Sequence, residues 1–193
     1  MRLQLSSACV PIAMAFLFTA CSVNVKKDAE GKDKNVDINT PFGGIHVNKN
    51  ADVRDTGLPV YPGARPKEKD EDGDEKSANV DISTSAFGLK VVAIEYETND
   101  SPDKLVPYYH EQLKKYGKVL ECHSSHQGNY GGGHHHPNRD SDELKCEGDD
   151  QGKTIELKVG TESNQHIVSI EPQGKGSKFA LVYVRTRGKE GTI

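Results

Sequence analysis

Tryptophan is missing from this chain, and seven Tyr and five Phe bring the aromatics to only 6% of 193 residues. A chain so short of large apolar groups builds a modest core. It also lacks an excess of positive charge: 25 Lys and Arg face 29 Asp and Glu, a net of −4, with no basic face. That disfavours nucleic acid and direct binding to anionic lipid. The longest apolar run, Ala8 to Ala20, is interrupted by Pro11 and falls short of the roughly 20 residues a membrane span needs. Catalytic frames are missing too. No GxSxG elbow, P-loop, HExxH or CxxC…CxxC frame occurs, and no paired-carboxylate frame stands out. Gly174-Lys175-Gly176-Ser177 lacks phosphate-loop spacing and reads as a turn between the last two strands.

What is present begins at the N-terminus. Residues 1–20 carry Arg2, an apolar stretch through Phe18 and the small pair Thr19-Ala20, the build of a secretory signal peptide. The run Leu17-Phe18-Thr19-Ala20-Cys21 resembles the lipobox of bacterial lipoproteins, with Phe18 where that family usually has Leu. The resemblance implies diacylglycerol on the Cys21 thiol and cleavage before it. Two or three acyl chains, at about 0.8 kcal/mol per buried CH₂, would anchor the protein stably in a membrane. The neutral Ser22 after it implies the outer membrane, facing the periplasm. An ordinary signal peptide cut after Ala20, with Cys21 free or paired, is the other reading.

Loss of residues 1–20 leaves one domain by length, and with Arg2 gone the net charge is about −5. Ser22 to Lys34 is charged and poor in large apolar groups, so residues 21–34 read as a flexible tether and 35–193 as a single domain. Asn35 to Val47 (NVDINTPFGGIHV) alternates around a Pro/Gly turn, a hairpin signal. Asn79 to Val91 (NVDISTSAFGLKV) repeats it at seven of thirteen positions. Duplication and convergence on a small turn alphabet both explain that match. The tract 66–76 is a solvated charged loop. Its Asp70, Asp72 and Asp74 do not make an EF-hand loop, since the glycine belongs at position six and Gly73 is fourth from Asp70.

One amphipathic helix is expected from about Pro102 to Tyr116, capped by Asp100 or Ser101 and closed by Gly117. Leu105, Tyr109, Leu113 and Tyr116 form its apolar stripe with Val106 beside it, and Pro107 predicts a bend. Strands are expected at 118–123, 143–147, 154–159, 166–171 and 179–185. The fold class is α+β: an antiparallel sheet with one long amphipathic helix packed on a face, plus an N-terminal β-hairpin.

Cys9 leaves with the signal peptide and Cys21 takes lipid, which leaves Cys122 and Cys146 in an oxidising compartment. A disulfide between them would constrain the unfolded chain by roughly 3.5 kcal/mol. Free thiols or a thiolate metal site are the alternatives.

The segments Val60-Tyr61-Pro62-Gly63-Ala64, Thr98-Asn99-Asp100-Ser101-Pro102 and Leu113-Lys114-Lys115-Tyr116-Gly117 are similar to a pattern in uncharacterised bacterial envelope lipoproteins, over residues 58–186. The motifs are a turn, a helix cap and a helix end. They imply a fold and carry no catalytic residues.

Five histidines fall within fourteen residues: His123, His126, His134, His135 and His136, in a Gly/His-rich loop at 123–142. Imidazole clusters bind Zn²⁺, Cu²⁺ or Ni²⁺, and Asp140 or Asp142 could add a carboxylate. The Gly131–Gly133 run works against a defined geometry, because ordering it costs on the order of 1 kcal/mol per residue. Cys122 and His123 are adjacent, so on a strand they point to opposite faces and make no dyad. These readings lead to a lipid-anchored envelope protein with a non-catalytic binding or interaction role and no resident cofactor. Its partner would be an envelope protein or ligand. Low-affinity transition-metal binding by the His loop is the alternative.

Overall fold

The computed structural model describes residues 22–27, 33–67, 77–124, 143–146 and 152–188. Among them ten strands form one antiparallel sheet: β1 (Ser22–Lys27), β2 (Asp33–Thr40), β3 (Gly43–Asn48), β4 (Arg65–Pro66), β5 (Ser77–Thr84), β6 (Phe87–Thr98), β7 (Leu120–Ser124), β8 (Thr154–Thr161), β9 (Asn164–Gln173) and β10 (Gly176–Gly188). The order is β1-β2-β3-β5-β6-β10-β9-β8-β7, and the short β4 pairs with the far end of β6. Helix α1 (Pro102–Leu113) lies on β8 and β9 and runs on as a 3-10 turn, Lys114–Tyr116. The expectation of an antiparallel sheet with one helix packed on a face holds.

Why α1 forms and where it stops follow from its residues. Ser101 takes the extended N-cap conformation, Pro102 stands at the first helical position, and Gly117 at φ 138° lets the chain turn away after Tyr116. The stripe Leu105, Tyr109 and Leu113 is completely buried. It meets Leu157 and Val159 of β8, Val168 and Ile170 of β9, Phe179 and Leu181 of β10, and Ile94 and Tyr96 of β6. Each fully buried side chain of this size contributes about 1.5–3 kcal/mol. A second cover lies beside the helix: a 3-10 turn, Val53–Thr56, sits on β6 and β10 and is followed by buried Leu58.

Three expectations change. Ser22–Lys27, read as part of the tether, is β1, with Val23 and Val25 opposite Ile38 and Val36 of β2. Two valines spaced by one residue are a strand pattern that the surrounding charges concealed. The expected strand at 143–147 is a single bridge, Glu143 to Thr161, within the described stretch 143–146. The run at 118–123 becomes β7 and pairs with β8. Pro66, assigned to the charged loop, pairs with Tyr96.

Candidate functional site

Register decides what the N-terminal half of the sheet displays. In β2, β3, β5 and β6, alternate residues point to opposite faces, and cross-strand partners share a face. On the helix side, one row runs Asp37, His46, Asp81, Lys90 and then Arg185 of β10. The next row is Asn35, Asn48 and Asn79. Together His46, Asn48, Asn79, Asp81, Ser83 and Lys90 line a shallow open depression of about 410 Å³.

The repeated sequence builds this polar shelf. Asp37 and Asp81 hold the same place in the two copies and flank His46 from both sides. The two turns are also alike. Thr40 Oγ1 accepts from Phe42 N (3.2 Å) and donates to Gly43 O (2.9 Å), and Thr84 Oγ1 accepts from Phe87 N (2.8 Å) and donates to Phe87 O (3.0 Å).

His46 Nδ1 lies 2.7 Å from Asp37 Oδ1. A carboxylate only accepts, so Nδ1 carries the proton, and Nε2 is the acceptor of the neutral ring. The ring lies over Gly44, where an added Cβ would come within 3.1 Å of Nε2. Asn35 Oδ1 is buried and receives no hydrogen bond from the described residues, while Asn79 Nδ2 donates to Asp55 at 3.3 Å. Ser83, cross-strand partner of Gly44, shares the depression, but no hydrogen bond joins it to His46.

At the other end of β6 the separate motif segments meet. Tyr61 Oη donates to Asp100 Oδ2 at 3.0 Å, and Tyr109 Oη receives the Tyr61 backbone N–H at 3.0 Å. Lys104 Nζ holds the other Asp100 oxygen at 2.7 Å. The Lys104 hydrogen bond, then that of Tyr61, keeps the Asp100 carboxyl below its ordinary value, and desolvation pushes Tyr61 above its own. Burial raises Tyr109 strongly. The segments at 60–64 and 98–102 thus lock the helix to its sheet. Beside them a polar cleft of about 460 Å³ is lined in part by Arg65, Glu97, Asn99 and Lys175.

A third cluster pins the Val53–Thr56 turn. His166 Nδ1 donates to Thr56 O at 2.9 Å, and its ring stacks on Tyr116 at 3.8 Å and tilts against Tyr183 at 4.9 Å. Desolvation lowers the His166 pKa and keeps the ring neutral. Gly57, at φ 69°, receives Tyr116 Oη on its carbonyl at 2.6 Å, and a Cβ there would meet that oxygen at 2.5 Å.

Of the residues singled out from sequence, Cys122 and Cys146 form a disulfide with Cα atoms 5.4 Å apart. Cys122 is buried on β7, and His123 beside it is half-exposed with Nε2 at 3.2 Å from Glu121 Oε1. Cys21, His126, His134, His135 and His136 lie outside the described residues. Among the described residues, no group of three or more His, Cys, Asp or Glu is placed to hold a metal ion.

Sheet, helix and polar shelf define the class as an antiparallel α+β domain with one decorated sheet face. No protein-family model matches the chain, and no curated protein or solved structure matches it significantly.

Proposed function

We propose that this is a lipid-anchored protein of the bacterial cell envelope, held by acylated Cys21 in the outer membrane and facing the periplasm. It binds a polar envelope partner and catalyses nothing. The N-terminal hairpin belongs to the binding unit. One observation carries this reading: the row Asp37, His46, Asp81 and Lys90 lies beside Asn48 and Asn79 on one open face. Carboxylates, amides, an imidazole and an ammonium on a flat lattice suit a ligand rich in hydroxyl, amide and mixed-charge groups. A shallow site of this kind holds a large partner by many modest contacts rather than enclosing a small molecule. The near-neutral, slightly acidic charge argues against nucleic acid.

The test is photo-cross-linking in intact cells from a reactive side chain at Ser83, compared with one at Lys175 on the far turn. A discrete adduct from position 83, lost when His46 and Asp81 are both changed to Ala, supports the reading. Identical patterns from both positions overturn it.

A second reading, capture of Zn²⁺, Cu²⁺ or Ni²⁺ by His123, His126, His134, His135 and His136, has one observation in its favour. His123 and Glu121 set a nitrogen and an oxygen donor side by side on β7. Calorimetric titration beside a variant with His134, His135 and His136 changed to Ala decides it. Sub-micromolar one-to-one binding lost in that variant would establish metal handling.

A further inference from the structure

The face opposite the polar shelf is aliphatic. Val23, Ile38, Ile45, Ile82 and Leu89 follow one another across β1, β2, β3, β5 and β6, and Val25, Val36, Val47, Val80 and Val91 form a second row behind them. Five strands at about 4.8 Å spacing make each row roughly 20 Å long. The large hydrophobic side chains exposed among the described residues all belong to this region: Val23 (63%), Val25 (41%), Phe42 (79%), Ile45 (37%) and Phe87 (44%).

Their placement has a direction. Ser22 pairs with Asn39, and Gly43 pairs with both Thr40 and Thr84. The start of β1, the turn bearing Phe42 and the turn leading into Phe87 therefore lie together at one end of the sheet. Phe87 also shares the aliphatic face, because it alternates in phase with Leu89 and Val91. The residue before β1 is Cys21.

We infer that this end of the sheet docks directly on the bilayer that holds the Cys21 lipid, with Phe42 and Phe87 entering the boundary between headgroups and acyl chains and the first aliphatic row lying above them. The inference rests on acylation of Cys21. Given that anchor, no tether separates glycerol from sheet, since strand pairing begins at Ser22. The exposed apolar side chains at that end then meet the membrane, where their burial is favourable. The contact is apolar, in keeping with a chain that has no basic excess to seek anionic headgroups. It also leaves the polar shelf, on the other face of the same strands, outside the contact and open to a periplasmic partner.

The absence of Trp supplies the probe. Three variants of the full-length protein, made and processed in a bacterial host, each carry one tryptophan: Phe42→Trp, Phe87→Trp and Lys175→Trp. Lys175 lies beyond the opposite end of the 13-residue β10, roughly 40 Å from Phe87 at 3.3 Å per residue. Each is reconstituted into phosphatidylethanolamine–phosphatidylglycerol vesicles with brominated acyl chains, and the mass of the N-terminal peptide is measured. The expected result is a lipidated Cys21, blue-shifted and strongly quenched emission from positions 42 and 87, and unquenched emission from 175. Water-like emission from all three positions in acylated, vesicle-bound protein overturns the docking and leaves the anchor intact. If sedimentation then shows a dimer broken by Phe42→Asp, the face belongs to a second copy. An unmodified Cys21 in the peptide mass removes the anchor itself, and the docking falls with it.

Discussion

Strands β8, β9 and the adjoining part of β10 bury their aliphatic residues under α1, whereas β1 and β3 leave Val23, Val25 and Ile45 exposed. Both regions use the same period-two alternation and the same antiparallel pairing, but their polar phases differ in use. In the helix-covered half, the residues under the helix are apolar and tightly shared, so the loss of one is felt throughout a close-packed interior. In the uncovered half, the helix-side face carries charges and amides that another molecule can meet. Coverage rather than strand pattern separates core from surface here. The Val53–Thr56 turn, pinned by His166, stands where the two regions join.

The sharpest separation between the halves comes from truncating one residue in each. Tyr109→Ala removes a fully buried ring and its hydrogen bonds to Tyr61 N and Pro59 O. It is expected to cost about 3–5 kcal/mol. Ile82→Ala, on a half-buried strand position, is expected to cost about 1 kcal/mol because little of a cavity is left. Urea unfolding of the oxidised protein measures both. Equal costs would break the comparison and place a second core over the aliphatic face.

Next in size is the Cys122–Cys146 disulfide, which ties edge strand β7 to the segment that bridges to Thr161. Changing both cysteines to Ala is expected to lower stability by about 2–4 kcal/mol. Amide exchange should accelerate in β7 and leave β2 and β3 unchanged. Uniform acceleration would show that the two halves unfold as one unit.

Acid acts on the joint. Burial holds the His166 pKa below the ordinary 6.5, against the partial opposition of its hydrogen bond to Thr56 O. A histidine with a depressed folded pKa contributes full stability above 6.5, and that contribution falls as pH drops through the window below it. The melting temperature of the wild type should therefore decline on acidification from pH 7 to pH 5. His166→Phe, which keeps a ring against Tyr116 and Tyr183 and cannot titrate, should decline less. Parallel curves would remove His166 as the source.

Much of the covered half was legible in the sequence. Ser101-Pro102 at the start of α1, Gly117 beyond its end and the spacing of Leu105, Tyr109 and Leu113 are local signals, and the alternation of Ile155, Leu157 and Val159 marks β8 unaided. The shelf was not legible. Asp37, His46, Asp81 and Lys90 read as the polar phase of two hairpins, and only cross-strand register sets them in a row. The one available signal was the repeated Asn-Val-Asp-Ile, which places an aspartate at the same point of each copy. Strand β1 escaped because Lys26, Lys27 and Asp28 outweigh two valines in any window. The helix lock of Tyr61, Asp100 and Tyr109 was visible as motif segments, but their meeting depends on the path of β6.

The smallest expected effect tests whether the joint is held by its own cap or by what lies beneath it. Asp52 caps the Val53–Thr56 turn by accepting from Arg54 N at 2.9 Å, and its carboxylate pairs with the Arg54 guanidinium. The Arg54 side chain, more than its backbone hydrogen bond, brings the Asp52 pKa down from 3.8 to about 2. A carboxyl with a lowered folded pKa stabilises when ionised, fully above 3.8, and loses that contribution as pH falls toward 2. Asn is as good a cap as Asp, so Asp52→Asn removes the charge and keeps the cap, while Asp52→Ala removes both. Because Arg54 is exposed and the half-exposed Asp52 carboxylate is screened by water, Asp52→Asn should barely lower the melting temperature at pH 7 and should match wild type near pH 2. Asp52→Ala should fall further and stay lower at both pH values, since the lost cap does not titrate. Should Asp52→Ala also leave the melting temperature unchanged, the turn is held by Thr56, Leu58 and His166 alone, and the two regions are joined from beneath.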